Sequence, residues 1–169
     1  MQISSTTAST SSRTTRTCFI KSRTTASARH SEWISGVCSL RCAAARATSR
    51  GRWESPYIAG VVPDDDSFWT IVEAQGFTVR RGYLGAGNRS KQDGAYLITD
   101  IMETLYEAPG PSTMVLVAGD ADYMPPLQRV VKKGWRTEVA FVNRGISSSL
   151  EPQVHEFRVL AAESFQHFK

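Results

Sequence analysis

From Trp53 onward, apolar residues fall into two rhythms: short continuous runs, and stripes that repeat every three or four positions. Tyr57 to Val62 (YIAGVV) reads as a buried strand stopped by Pro63. Asp64, Asp65 and Asp66 cap a helix with Phe68, Ile71 and Val72 on its inner side and Gly76 at its end. Phe77 to Tyr83 predicts a second strand, followed by a glycine-rich basic loop from Leu84 to Lys91. Ile98, Ile101, Met102 and Leu105 share a stripe, which predicts a helix from Asp93 to Glu107 closed by Pro109, Gly110 and Pro111. Thr113 to Ala118 (TMVLVA) is the clearest strand, unbroken and apolar, as a strand covered on both faces should be. A loop at Asp120 to Tyr123 leads into a helix with Pro125 and Pro126 in its first turn, Leu127, Val130 and Val131 inward, and Gly134 at its end. Thr137 to Val142 is another strand; a loop from Asn143 to Ser148, a short helix near Leu150 and an apolar segment from Phe157 to Ala161 follow.

Strands alternating with helices of this length imply right-handed crossovers and a mostly parallel sheet. In such α/β folds, chemistry gathers beyond the carboxyl ends of the strands. No run reaches the roughly 18–20 apolar residues of a membrane span, so a membrane role is not expected.

Composition divides the chain. Twenty of the first 50 residues are Ser or Thr, and this stretch holds eight basic side chains against one acid, Glu32, for a net +7. Residues 51–169 hold 12 basic and 15 acidic side chains, a net −3. The pI near 9.1 therefore belongs to the N-terminal third. Residues 1–52 read as a low-complexity, disordered basic segment, because so polar a stretch buries too little to offset its ordering entropy. An organellar transit peptide, a basic arm on phosphates and a segment foreign to the fold behind it all stay open. Cys18, Cys38 and Cys42 all lie here, with no second pair or spaced histidine to complete a zinc site. Their absence from 53–169 fits a reducing, cytoplasmic setting, with an organelle as the alternative if the leader is a transit peptide.

The sharpest chemical feature is Gly119-Asp120-Ala121-Asp122-Tyr123, which places two carboxylates just past the best strand. Acids held close repel unless a cation sits between them, and Mg²⁺ or Mn²⁺ favours such oxygen ligands. The plainer alternative is a solvated turn, where Asp is common. Asp93 and Asp100 lie seven residues, about two turns, apart on one helix face. That face sits roughly 140° from the apolar stripe by the 100° rule, which suggests a first-turn Asp and a solvated Asp100. Arg80, Arg81, Arg89 and Lys91 fit either a scattered solvated face, the plainer reading, or a basic rim for a phosphate backbone; His155 reads as an ordinary surface or packing residue, and Phe68, Trp69 and Tyr96 as packing aromatics.

Taken together, Lys91 to Asp100 (KQDGAYLITD), Val117 to Gln128 (VAGDADYMPPLQ), Gly134 with the strand after it, and Ser147-Ser148-Ser149-Leu150 resemble the NYN domain, and more narrowly its LabA-like branch within the PIN-like nuclease superfamily. The resemblance covers about residues 56–162 and makes 53–169 the domain. It implies a Rossmann-like three-layer α/β/α sandwich that hydrolyses RNA phosphodiester bonds. It implies Mg²⁺ or Mn²⁺ held by Asp93, Asp100, Asp120 and Asp122, with Asp93, Asp120 and Asp122 catalytic, and RNA bound by Lys91 and Arg89. A homo-oligomer stays open. Tyr123 stands where the family has Phe, and Gly94 where it has the helix-opening acid. The family's first strand, ending in a metal-binding Asp, has only Cys18-Phe19-Ile20 as its counterpart, with Lys21 in the place of the acid. The alternative is an impaired NYN-type module that binds RNA or protein. Gly119-Asp120-Ala121-Asp122 after a strand also resembles the last motif of haloacid-dehalogenase phosphatases, whose upstream DxDx(T/V) is lacking.

Overall fold

The structure, a computed structural model, describes residues 15–21, 52–53, 56–61, 66–86, 89–142 and 146–160. Its elements are β1 (Thr15–Lys21), β2 (Arg52–Trp53), β3 (Tyr57–Gly60), α1 (Ser67–Ala74), β4 (Thr78–Arg81), β5 (Tyr83–Gly85), β6 (Arg89–Lys91) and α2 (Asp93–Glu107). There follow β7 (Thr113–Val117), a 3₁₀ turn (Ala121–Tyr123), α3 (Met124–Lys132), β8 (Arg136–Val142), a second 3₁₀ turn (Ser148–Gln153) and β9 (Glu156–Leu160). The main sheet runs β4-β3-β1-β7-β8-β9, every pairing parallel, with β2 beside the start of β1.

The middle of this sheet comes from the segment expected to lie outside the domain. Phe19 is paired with Tyr57 on one side and Leu116 on the other. Its ring stacks on Tyr57, centroids 5.0 Å apart and planes 10° from parallel. A strand the sequence offers only as a degraded remnant is thus the sheet's midline, and residues 15–21 belong to the fold that the sequence reading began at Trp53. The remainder of the leader, including Cys38 and Cys42, lies outside the described residues. Burial pushes the Cys18 thiol up to about 12, which leaves it a packing group.

Side-chain alternation builds two cores. On β7, Met114 and Leu116 face a core shared with Leu97, Ile101, Leu127 and Val130. Val115 and Val117 face one shared with Trp69 and Val72. The sheet is therefore covered on both faces, α2 and α3 on one and α1 on the other, giving the expected α/β/α sandwich. Gly76 and Gly134, at φ +83° and +81°, supply the left-handed residue that ends α1 and α3.

Several expectations shift. Ile71 and Val131, expected inside, are exposed, and Tyr96 is a surface aromatic. Asp66 precedes α1 without a side-chain capping bond; its Oδ1 accepts Arg81 Nε at 3.0 Å instead. Asp64 and Asp65 lie outside the described residues. The glycine-rich loop is an antiparallel hairpin, β5 against β6. His155 stitches β8 to the chain before β9: Thr137 N–H donates to its Nδ1 at 3.1 Å. Among the described residues no helix is long and apolar enough to cross a membrane.

Candidate active site

Two elements bring carboxylates to the carboxyl end of the sheet. β7 runs out through buried Ala118 and Gly119 into half-buried Asp120, whose carbonyl accepts the Tyr123 N–H at 3.3 Å. The 3₁₀ turn this closes carries Asp122 outward into solvent. Gly119 is also tied across the site: its carbonyl accepts Ser147 N–H at 2.8 Å, which docks the second 3₁₀ turn against the first.

Asp93 opens α2 and is 4 % exposed. Its Oδ1 accepts the N–H of Gly94 at 2.9 Å, so the carboxylate also meets the positive end of the helix. Gln92 before it has φ +68°, a left-handed conformation costly for a residue with a side chain. The backbone is bent there to bring Asp93 inward.

The phenol of Tyr123 is buried in the turn that follows Asp120. Burial first, and then the negative fields of Asp120, Asp93 and Asp122, push its hydroxyl well above the ordinary phenol range. Three acids from two elements therefore bear on one buried hydroxyl. Among the described residues no Lys or Arg pairs with Asp93 or Asp122, and no three His, Cys, Asp or Glu side chains lie close enough together to hold a metal ion. The donor type, carboxylate oxygen throughout, is the one a hard divalent cation prefers, and Asp93 is buried beside the Gly94 N–H. Mg²⁺, which keeps several waters, needs no closed protein cage.

Asp100 is placed differently. It lies about 10.5 Å from Asp93 along the axis of α2, is 2 % exposed, and is gripped by Arg80 of β4. Arg80 Nη2 donates to Oδ1 at 2.8 Å and Nε to Oδ2 at 3.0 Å. The expectation of a solvated Asp100 is corrected, and the helix face is redrawn. Asp93, Leu97, Asp100, Ile101 and Leu105 form the buried arc, with Ile98 and Met102 half-buried beside it. Nothing local in the sequence marks Arg80, 20 residues upstream, as the partner.

The NYN domain family profile matches residues 17–161. The chain belongs to the NYN domain family. NYN domains are PIN-like nucleases, and the membership places this protein in nuclease or RNA-related chemistry. The match begins within β1, as the sheet does. A crystal structure of a protein of unknown function from Vibrio parahaemolyticus is similar in fold, with TM-score 0.62 at 16 % identity over 90 % of this chain and 97 % of that one. No curated protein sequence matches the chain. Within the NYN frame, the register places Lys21 beside Ala59 and one step beyond the Ile20–Val117 pair, at the sheet's carboxyl edge next to the strand that carries Asp120. Arg89 and Lys91 occupy the ends of β6, immediately before Asp93.

Proposed function

We propose that this NYN domain hydrolyses RNA phosphodiester bonds with Mg²⁺ or Mn²⁺ held by Asp93, Asp120 and Asp122. The observation that carries this reading is the placement of buried Asp93 at the head of α2 and of Asp120 and Asp122 just past β7, all at the carboxyl end of the parallel sheet. A divalent ion would supply Lewis-acid polarisation of the phosphate and lower the pKa of a water at neutral pH. The chain's own residues do the holding. Asp93 is fixed by burial and by the Gly94 N–H, Asp120 by its place at the end of β7, and Asp122 stays open toward substrate. Tyr123 keeps its proton and adds no charge to the cluster, while its buried ring closes the floor of the site. Lys91 and Arg89 hold the RNA backbone, where phosphate contacts set position. Asp100, assigned to the metal by resemblance, acts here as the anchor of Arg80. The narrower LabA-like placement rests on the GDADY turn and the Lys91 segment.

Cleavage of RNA with Mn²⁺, its loss with EDTA, and a loss of roughly 10²-fold or more in Asp120→Asn are expected, the scale of removing one electrostatic stabiliser of a transition state. Asp120→Asn cleaving at the unmodified rate ends the reading.

Lys21 favours a second reading, an RNA- or protein-binding module without turnover, because a cation at that register position opposes metal loading. Lys21→Asp separates the two: tighter Mn²⁺ binding by calorimetry, with cleavage raised or newly present, marks Lys21 as the impairment. Unchanged Mn²⁺ affinity shows that the lysine does not matter to the site.

A further inference from the structure

The β5–β6 hairpin stands outside both cores, yet it carries apolar side chains in the open. Tyr83 is 53 % exposed and Leu84 39 %. Adjacent strand residues face opposite ways, so both faces of the ribbon are uncovered. A two-stranded hairpin gains little stability by itself, and an exposed tyrosine on it serves the sheet in no way the packing shows. Its position is informative. Tyr83 is the cross-strand partner of Lys91, and the Cα atoms of such partners lie about 5 Å apart. Lys91 precedes Asp93 by two residues, at most about 7 Å of chain. The register therefore holds the Cα of an exposed aromatic residue, with a basic position between, within about 12 Å of the Cα of Asp93 at the head of α2. Tyr96, 40 % exposed on the first turn of α2, adds a second aromatic on that side; its hydroxyl donates to Gln92 Oε1 at 3.2 Å. Residues 83–91 contain Arg89 and Lys91 and no acid.

We propose that this hairpin is a stacking platform for single-stranded RNA, with Tyr83 receiving the face of a base next to the phosphate that the carboxylates address. The inference builds on the ribonuclease reading and names its substrate class. An uncovered aromatic beside basic positions is the chemistry that binds unpaired bases, because every base has a π-face to stack and its phosphate a charge to neutralise. Paired RNA keeps its bases within the helix and offers Tyr83 nothing to stack on.

The test measures fluorescence anisotropy of the full chain with labelled oligouridine, and with the same strand annealed to oligoadenosine, in EDTA so that binding is read without cleavage. Tyr83→Ala should weaken oligouridine binding roughly tenfold, the cost of one stacked base, while Tyr83→Phe and Tyr83→Trp retain it and duplex binding does not change. Because Tyr83 lies outside the core, matching thermal melts confirm that each variant folds. The proposal is overturned if the unmodified chain does not bind oligouridine, if Tyr83→Ala binds as tightly as the unmodified chain, or if Tyr83→Phe loses as much as Tyr83→Ala. Tyr83-dependent binding by a chain that never cleaves with Mn²⁺ keeps the platform and removes the ribonuclease; cleavage with binding indifferent to Tyr83 does the reverse.

Discussion

Arg80 and Asp100 form an ion pair with unequal ends. Asp100 is enclosed, whereas the Arg80 side chain is partly in water. Removing Arg80 strands a carboxylate in the interior; removing the charge of Asp100 leaves a guanidinium that can turn to solvent. Arg80→Ala should therefore cost about 3 kcal/mol in denaturant unfolding, the low end for breaking a buried pair because one side is open, and Asp100→Asn distinctly less. Equal losses would show that water screens both ends alike. These residues also mark where sequence reading fails. The sequence places Asp120 and Asp122 at a strand's end because the apolar run and Gly119 fix that position locally. Asp100 is invisible as a buried group because an apolar stripe counts only apolar residues, and its neutralising partner lies on another element. That Asp93 lies at the same end of the sheet as the other two aspartates needs the tertiary fold.

At the scale of elements, helix periodicity carries well: α2 spans the predicted Asp93 to Glu107, and the strands at 113 and 137 are found within a residue of their expected limits. Two elements resist. The β5–β6 hairpin is hidden because Gly85 and Gly87 read as loop, whereas pairing is set by cross-strand register rather than by composition. β1 is hidden because a single short run, TCFI, carries it within a Ser- and Thr-rich context, and only its two neighbours give it a place. A central strand has few substitutes, so Phe19→Ala should destabilise the domain by about 3–5 kcal/mol through the cavity and the lost stack on Tyr57. A shift of the urea midpoint by less than a third of that amount would place Phe19 outside the core.

For the whole molecule, charge is organised by region. Beside the +7 leader, the far edge of the sheet has its own network: Arg136 reaches Glu138 and Glu156, and Glu156 is also held by Arg158. The hydrogen bond from Arg158, then that from Arg136, holds the Glu156 carboxyl below its ordinary value of about 4.3. A depressed folded-state value means that the contribution is complete above the unfolded value and fades as pH falls through the folded one. Stability should thus be flat near neutrality and drop below about pH 4.3, with a shallower acid limb in Glu156→Gln when melting temperature is followed against pH. An unaltered limb would assign the acid loss to other carboxylates.

The midline strand also governs how the molecule comes into being. β1 precedes every strand it pairs with, yet β7 lies about a hundred residues later in the chain, a separation that makes closure slow. Without β7, a paired β1 and β3 would present a bare hydrogen-bonding edge, the kind of surface on which chains aggregate. The edge of β1 that borders the aspartate-bearing strand is therefore covered only once β7 is available, so assembly of the sheet and assembly of the site are one event.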